Sequence, residues 1–462
     1  MIRPYLPRGG VPKVIVTSNA PNWRGVAEPV EIRLWPKEIG ADFLIARTGR
    51  IAERREAEDL SEALEGLPLA HEQAAAYCER LEIPLAKYRR RFDAAPARLL
   101  DTGKDAPAEY HDRLTVAKTF ALAIDEAARL HPAAEPLLIH AALLAPEPIP
   151  LFLFAEGREH FAEPLASALA DDGIDEAVAA LRAFALVDRE TIPDERDPAI
   201  TTETIRLHRL VRQVAAFRCD DMARDAALRT LIDALAAVYP DGVLNDPATW
   251  PRARRLDATA LALVDAYATI SERSPLAAGY LMGRLGSYRH GALGAYAAAR
   301  SLSERALAIC EKALGPDHPD TGMRLNNLAL LLKAQGDFAA ARPLSERALA
   351  INEKALGPDH PDTATTLGNL AGLLHDQSES ASARPLYERA LAIRENALGP
   401  HHPTSATSLN SLALLLQAQG EVAAARPLYE RALAIREKAL GPDHPDTATV
   451  RRNLAALLEL NR

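Results

Sequence analysis

One heptapeptide recurs at a fixed spacing in the last third of this 462-residue chain. The text GPDHPDT begins at Gly315, Gly357 and Gly441, and the variant GPHHPTS begins at Gly399, so each copy starts 42 residues after the one before it. The text between the copies also recurs, as in RPLYERALAIREKAL from Arg426. A period of this length predicts a stacked array of structural repeats.

The period predicts two helices in each repeat. Apolar residues spaced by three and four positions define the first helix, and they form the rows Leu325, Leu367, Leu409; Leu328, Leu370, Leu412, Leu454; and Leu332, Leu374, Leu416, Leu458. The second helix has small residues that let helices approach closely, namely Ala341, Ala348, Ala383, Ala390, Ala425 and Ala432. Gly336, Ser378 and Gly420 are expected in the turn between the two helices.

The heptapeptide itself is best explained as a helix stop followed by a helix start. Gly315 ends one helix, Pro316 prevents its continuation, and Asp320 or Thr321 is expected to cap the next helix. Four histidines recur with the period, at His318, His360, His402 and His444. Successive repeats are roughly 16–20 Å apart at 8–10 Å per helix contact, so these histidines cannot share a metal ion. Prolines recur inside the second helix, at Pro343, Pro385 and Pro427.

These helix pairs resemble the tetratricopeptide repeat, and the ERALAI and GPDHP texts with the 42-residue length resemble its kinesin light chain variety. The resemblance covers about Ala277 to Leu460 and includes a degenerate first unit, Ala278 to Leu314. It implies an α-solenoid of four helix pairs with a final cap helix from Thr447.

The candidate binding residues lie on the first helices, which line the concave face in the tetratricopeptide fold. One row contains Asn327, Asn369, Ser411 and Asn453, and its polar neighbours are Asn326, Asn410, Lys333 and Arg452. Side-chain amides both donate and accept hydrogen bonds, so such a column can pair with the backbone of an extended peptide. The alternative is that these residues only cap or solvate helix surfaces.

Composition excludes several classes of function. The net charge of −9 and the pI near 5.9 argue against nucleic-acid binding, which needs clustered Lys and Arg. Cys78, Cys219 and Cys310 are far apart and form no CxxC pair. The first residues lack the apolar core of a signal peptide, and prolines interrupt the apolar stretch from Leu137 to Phe154. We therefore expect a soluble, cytoplasmic protein with neither a metal nor a membrane span.

The beginning of the chain predicts the edge of a parallel α/β sheet. The apolar run at 14–16 indicates one strand, and residues 31–34, which follow turn signals, indicate a second. Helices are predicted at Pro36–Arg47, Ala57–Leu64, Ala70–Leu81 and Pro84–Phe92. The ordered texts VIVTS, GLPLA and LHRLV resemble the NB-ARC module of STAND signalling ATPases. This resemblance implies residual nucleotide contacts at Pro68 and His208, while Asn19 stands where the family has an Arg. The structural alternatives are a helix-start proline and a core histidine.

No G-x-x-x-x-G-K-[ST] text occurs in the sequence, and no acidic Walker B strand precedes Val14. Without the phosphate-binding loop and its Lys the phosphates have no cradle, so we predict no enzymatic activity and no cofactor for this chain by itself. ADP or ATP would bind only if the missing half were supplied. The resemblance implies an N-terminally truncated module, and oligomerisation through it.

The middle of the chain has the element order of a winged helix. Helices are predicted at Asp112–Ala128, Leu137–Leu144, Glu163–Ala170 and Asp175–Phe184, followed by strands at Ala185–Thr191 and Thr202–Leu207. The would-be recognition helix begins with Asp175 and Glu176 and contains one Arg, Arg182. Carboxylates there would repel phosphates, which disfavours a transcriptional regulator.

The predicted fold class is therefore mainly α, a tetratricopeptide solenoid preceded by a winged-helix domain and a helical ARC-type domain with a small remnant of parallel sheet. The predicted domains are the NB-ARC remnant at 1–36, the ARC-type domain at 37–110, the winged helix at 111–219, a helical connector at 220–275 and the repeats at 276–462. The leading hypothesis is a protein-interaction module of a STAND-type signalling protein that binds a protein or an extended peptide. The alternatives are a nucleotide-dependent switch completed by a missing half and a DNA-binding regulator.

Overall fold

The computed structural model describes residues 35–64, 66, 68–94, 114–244, 246–267 and 275–460, and it is mainly helical there. The strands predicted at 14–16 and 31–34 lie outside these residues, as does Asn19. The chain divides into two compact units. The first comprises the described residues up to Asp125 with Ala183–Ala185, and the second comprises Glu126–Arg182 with the described residues from Leu186 onward.

The first unit contains the four helices predicted after the sheet remnant, with ends shifted by a few residues. They are α1 (Lys37–Thr48), α2 (Arg54–Ala63), α3 (Pro68–Arg80) and α4 (Leu85–Ala94). Helix α5 (Leu114–Leu130) spans the division between the units. Buried aromatic rings form the core of the first unit, where Tyr77 and Tyr88 pack edge to face with ring centroids 5.1 Å apart.

The second unit begins with short helices around a three-stranded antiparallel sheet of order β1-β3-β2. Its elements are α6 (Ala134–Leu143), β1 (Ile149–Pro150), α7 (Phe152–Glu156), α8 (Leu165–Ala168), α9 (Gly173–Arg182), β2 (Val187–Pro193), β3 (Thr201–Leu207) and α10 (Arg209–Phe217).

The predicted hairpin is confirmed, with Val187 opposite Leu207, but three details differ from the prediction. Strand β2 begins two residues late because Ala185 has φ +51°, a left-handed conformation that no strand continues through. Strand β1 was not predicted, since two residues are too short to show alternation. Helix α8 covers only the middle of the predicted Glu163–Ala170 helix.

Two long helices follow this region. They are α11 (Asp221–Val238) and α12 (Trp250–Ala266). Asp220 caps α11, because its side chain accepts a hydrogen bond from the Ala223 N–H at 2.8 Å.

The repeat array consists of four helix pairs and a final helix, which confirms the prediction. The first helices are α13 (Pro275–Gly291), α15 (Pro319–Ala334), α17 (Pro361–Asp376) and α19 (Pro403–Ala418). The second helices are α14 (Tyr296–Leu314), α16 (Phe338–Ala355), α18 (Ser380–Leu398) and α20 (Val422–Leu440), and α21 (Pro445–Leu460) is the final helix.

The predicted apolar rows form the core of the array, together with the small residues of the second helices. Leu416 is 4% exposed, whereas its equivalent Leu458 is 40% exposed. Leu458 lies on α21, the last helix that the structure describes. The turn residues lie where predicted, and Ser378 adopts φ +66° where Gly336 and Gly420 have φ +78° and +80°.

Each part of the heptapeptide has a local structural role. Gly357, with φ +104°, follows helix α16, and its carbonyl accepts a hydrogen bond from Thr363 Oγ1 at 2.9 Å. Pro361 is the first residue of α17, and His360 is the N-cap, since its Nδ1 accepts from the Asp362 N–H at 3.1 Å. The expectation that Asp or Thr would cap these helices is wrong.

The other three copies repeat this cap. The corresponding distances from the backbone nitrogen to the imidazole Nδ1 are 3.2, 3.3 and 3.2 Å for His318, His402 and His444. The Thr or Ser hydroxyl is occupied by the glycine carbonyl instead, as at Thr321, Ser405 and Thr447. The four histidines are therefore helix caps, and no group of three or more metal-binding side chains occurs in the described part of the chain.

Replacing His360 by Ala is expected to lower the free energy of unfolding by about 1 kcal/mol, because the Asp362 N–H loses its acceptor. Replacing His360 by Asn should retain most of the stability, since the Asn side chain is a favourable N-cap acceptor. Urea unfolding followed by far-UV circular dichroism measures both. Equal losses in the two variants would show that the imidazole does not act as a cap.

Candidate functional site

The first helices form one continuous face of the array, here called the first-helix face. Neighbouring first helices contact one another more extensively than neighbouring second helices do. An array whose first helices are closer together curves with those helices on its inner side. On α17 this face includes Thr365, Asn369, Gly372 and Asp376, whose spacing of four, three and four residues places them in one stripe.

The predicted asparagines form two cross-repeat amide pairs on this face. Asn369 Nδ2 donates to Asn326 Oδ1 at 3.1 Å, and Asn453 Nδ2 donates to Asn410 Oδ1 at 3.0 Å. Asn326 is buried, with 7% exposure, so its contribution is to position Asn369 rather than to present a surface of its own. Each donating amide keeps its own oxygen and a second N–H for a ligand.

The remaining predicted residues have different surroundings. Asn327 is half-buried on α15. Lys333 Nζ lies 3.1 Å from Asp376 Oδ2 across the first-helix face. Arg452 is exposed on α21, and its Nη2 is 3.5 Å from Thr449 Oγ1. The structure thus brings Asn326 together with Asn369, Asn410 with Asn453, and Lys333 with Asp376.

A cleft of about 430 Å³ opens among helices α15, α17, α18 and α19, beside Ser411 of the Asn row. It is lined by Lys333, Gly372, His375, Asp376, Tyr387, Ser411, Leu414, Gln417 and Ala418. The 42-residue period explains its position, because two small residues replace larger ones there. Gly372 stands where other repeats have Leu330 and Leu414, and Ser411 stands in the Asn row. The smaller side chains of Gly372 and Ser411 therefore leave an opening in the surface of the array.

The floor of this cleft carries hydrogen-bond donors. A Cβ placed on Gly372 would lie 3.0 Å from Lys333 Nζ and 3.1 Å from the Tyr387 hydroxyl, so both groups reach toward the bare backbone. Burial raises the pKa of Tyr387 to about 12, which keeps its hydroxyl protonated. The Gln417 Oε1 accepts from the Tyr429 hydroxyl at 2.9 Å, which leaves the Gln417 NH₂ as a donor.

The two residues predicted from the nucleotide-binding resemblance belong to different units and have local structural roles. Pro68 is the first residue of α3, a position that suits proline. His208 is the N-cap of α10, because its Nδ1 accepts from the Leu210 N–H at 3.3 Å. Burial lowers the pKa of His208, which favours the neutral ring that capping requires. Nucleotide contacts at these residues stay a prediction.

The helix predicted to meet DNA in a winged helix keeps its acidic start. Arg189 of β2 contacts Asp175 at 2.6 Å and Glu203 at 3.0 Å, so this arginine is compensated by carboxylates. The absence of DNA binding also stays a prediction. Within the ranges that the structure describes, no helix is long and apolar enough to cross a membrane.

The helix pairs, their period and their buried small residues define the class of the array. The tetratricopeptide repeat model matches residues 278–354, 323–396, 369–438 and 404–462. The C-terminal part of the chain is therefore a tetratricopeptide solenoid, an architecture that serves protein–protein interaction.

Solved structures with partial likeness fall into two kinds. Two cover less than half of this chain. A Podosopora anserina protein with nearly identical TPR-like repeats is 25% identical, with 44% of this chain and 99% of that chain covered and a TM-score of 0.34. BtubC (BKLC) from P. vanneervenii is 22% identical, with 49% and 85% covered and a TM-score of 0.38. The third is a STAND protein with a tetratricopeptide repeat sensor from Pyrococcus horikoshii, at 11% identity, 92% and 69% coverage and a TM-score of 0.33. No match was found among curated proteins.

Sequence reasoning identified the Asn row but missed the cleft. The available signal was the departure from the period at Gly372, because a glycine in a row of leucines removes a whole side chain from the surface. Tyr387 could not have been assigned to the cleft from sequence, since it lies on a second helix and reaches the first-helix face only through packing.

Proposed function

We propose that the first-helix face binds an extended segment of a protein or peptide, whose backbone is held by the amide pairs and one of whose side chains enters the cleft. The observation that carries the proposal is the presence of two amide pairs and a cleft on the same face, with Ser411 of the Asn row in the cleft wall. An extended backbone presents an N–H and a C=O at every residue, and a side-chain amide can satisfy both.

The cleft supports binding of one side chain rather than of a small molecule. Its volume of about 430 Å³ is at the lower end of ligand pockets. Leu414 is 40% exposed at its edge, and an exposed leucine beside hydrogen-bond donors suits a partly apolar side chain. A ligand backbone running between the amide pairs would pass this opening.

The resemblance of the earlier part of the chain to NB-ARC modules supports a wider role. In that role the array is the sensor of a STAND-type signalling protein, and ligand binding to the array is the input. The texts GLPLA and LHRLV, in the order found in that family, are the support for this part of the proposal.

Selection of a phage-displayed library of random 12-residue peptides on the full chain tests the binding face. Replacing Asn369 by Ala is expected to weaken the selected peptides about tenfold, because a hydrogen-bonded amide is removed from a buried contact. The matched control is Asn396→Ala, which removes an exposed amide from the second helix α18 and should leave affinity unchanged. Circular dichroism verifies that both variants are folded.

Two outcomes would refute the proposal. One is a library that yields no peptide above background. The other is a set of peptides whose affinity is the same for the wild type, Asn369→Ala and a second variant, Asn453→Ala, in the other amide pair.

A further inference from the structure

Arg394 differs in its partners from the equivalent arginine of the next repeat. Arg436, which lies 42 residues later on α20, contacts Asp446 Oδ2 at 2.7 Å and Thr407 Oγ1 at 2.7 Å. Arg394 on α18 donates to Ser408 Oγ at 2.7 Å and to Thr365 Oγ1 at 3.1 Å, which are both hydroxyls. No carboxylate within ion-pair distance of Arg394 is found among the described residues.

The repeat text explains the missing carboxylate. The position of Asp446 is occupied by Asp320 and Asp362 in two earlier copies of the heptapeptide, but by Thr404 in the third copy. The same copy also has His401 where the others have an Asp, so GPHHPTS has lost both of its acidic residues. Arg394 is thus a partly buried guanidinium without the carboxylate that pairs with Arg436 in the next repeat.

Electrostatics and position both favour an external anion at this residue. Burial lowers the pKa of Arg394, and no nearby carboxylate opposes that effect. A desolvated guanidinium gains most from an oxyanion that accepts two parallel hydrogen bonds. Thr365, which Arg394 contacts, lies in the same stripe of α17 as Asn369 and Gly372, so the guanidinium reaches the first-helix face.

We infer that Arg394 is a specificity-determining residue of the first-helix face and binds a carboxylate of the ligand peptide in place of the missing Asp. The inference rests on the proposed function and adds to it the chemistry of one ligand residue, an Asp or Glu. The ligand carboxylate would occupy the position that Asp446 occupies at Arg436, while the ligand backbone meets Asn369.

The variant Thr404→Asp tests this inference, because it restores the Asp that the other three copies of the heptapeptide have at this position. This variant should remain folded, because an Asp in the first turn of a helix is favourable and other repeats carry it there. It should pair with Arg394 and compete with the ligand carboxylate. Ser382→Asp is the control for added charge. Ser382 lies on α18, twelve residues before Arg394, and is therefore roughly 18 Å from it at 1.5 Å per residue.

The same 12-residue library is selected separately on the wild type, Thr404→Asp and Ser382→Asp. We expect peptides from the wild type and Ser382→Asp to share one Asp or Glu, and this preference to disappear with Thr404→Asp. Replacing that ligand Glu by Gln should weaken binding about tenfold for the wild type and hardly at all for Thr404→Asp.

The outcomes separate this inference from the proposed function. Peptides that depend on Asn369 but show no acidic preference, or a preference that persists in Thr404→Asp, overturn the inference alone. A library without any Asn369-dependent peptide overturns the proposed function and the inference with it.

Discussion

Replacing Leu409 by Ala is expected to lower the free energy of unfolding of the array by about 2–5 kcal/mol. Leu409 is fully buried in α19 and belongs to the main core cluster of the array, beside Leu412 and Ala413. Removing three carbons there loses apolar burial and leaves a cavity, because the surrounding helices are held by their own neighbours and cannot collapse fully. The urea midpoint of the helical circular dichroism signal measures the loss.

Leu414→Ala in the same helix is the matched control. Leu414 is 40% exposed and lines the cleft, so its replacement should change the free energy of unfolding by only about 0.5 kcal/mol. Similar losses for the two variants would contradict the assignment of the Leu409 row to the core and of Leu414 to the surface.

Replacing Gly372 by Leu, the residue that two other repeats have at this position, is expected to abolish peptide binding while leaving the array folded. The new side chain would start 3.0 Å from Lys333 Nζ and 3.1 Å from the Tyr387 hydroxyl and would fill the cleft between them. Lys333 Nζ is the end of a flexible side chain and can move aside, the Tyr387 hydroxyl has to give by only a few tenths of an ångström, and leucine favours a helix over glycine by roughly 0.5–1 kcal/mol. Affinity for library-selected peptides should fall at least about tenfold, since the pocket is lost. This prediction rests on the proposed function.

Gly368→Ala is the control for adding a side chain to the same helix. A Cβ on Gly368 meets no atom within 4 Å, so the change should leave peptide affinity intact and stabilise the helix by about 1 kcal/mol. Fluorescence anisotropy with one selected peptide compares both variants with the wild type. Undiminished binding by Gly372→Leu would show that the cleft is not part of the ligand site.

Most of the array follows from the spacing of residue types along the chain. The period of 42 residues places each helix pair, and the rows that contain Leu367 and Ala383 identify the faces that are buried. These features are local or repeat regularly, so one alignment of the chain with itself reveals them. Strand β1 did not follow from the sequence, because its two residues are a strand only through pairing with β3.

The heptapeptide shows how local chemistry can mislead a prediction even when the element is right. Asp and Thr are strong capping residues in general, and the helix start was placed correctly. In the structure the Thr363 hydroxyl donates to the preceding glycine carbonyl, so the neighbouring His360 supplies the cap. His360 and Thr363 were both possible caps of α17, and the geometry of the turn places the imidazole, rather than the hydroxyl, at the free backbone N–H.

The sequence alone determined the repeat class, the number of helix pairs, the buried rows and the face that carries the Asn row, because each depends on residues at a constant interval. Only the tertiary structure decided that Asn369 is held by Asn326, that Gly372 and Ser411 open one cleft, and that Arg394 has no carboxylate partner. These are contacts between side chains on different helices, some of them 43 residues apart in sequence. Their distances depend on how the helices pack, which no periodicity specifies.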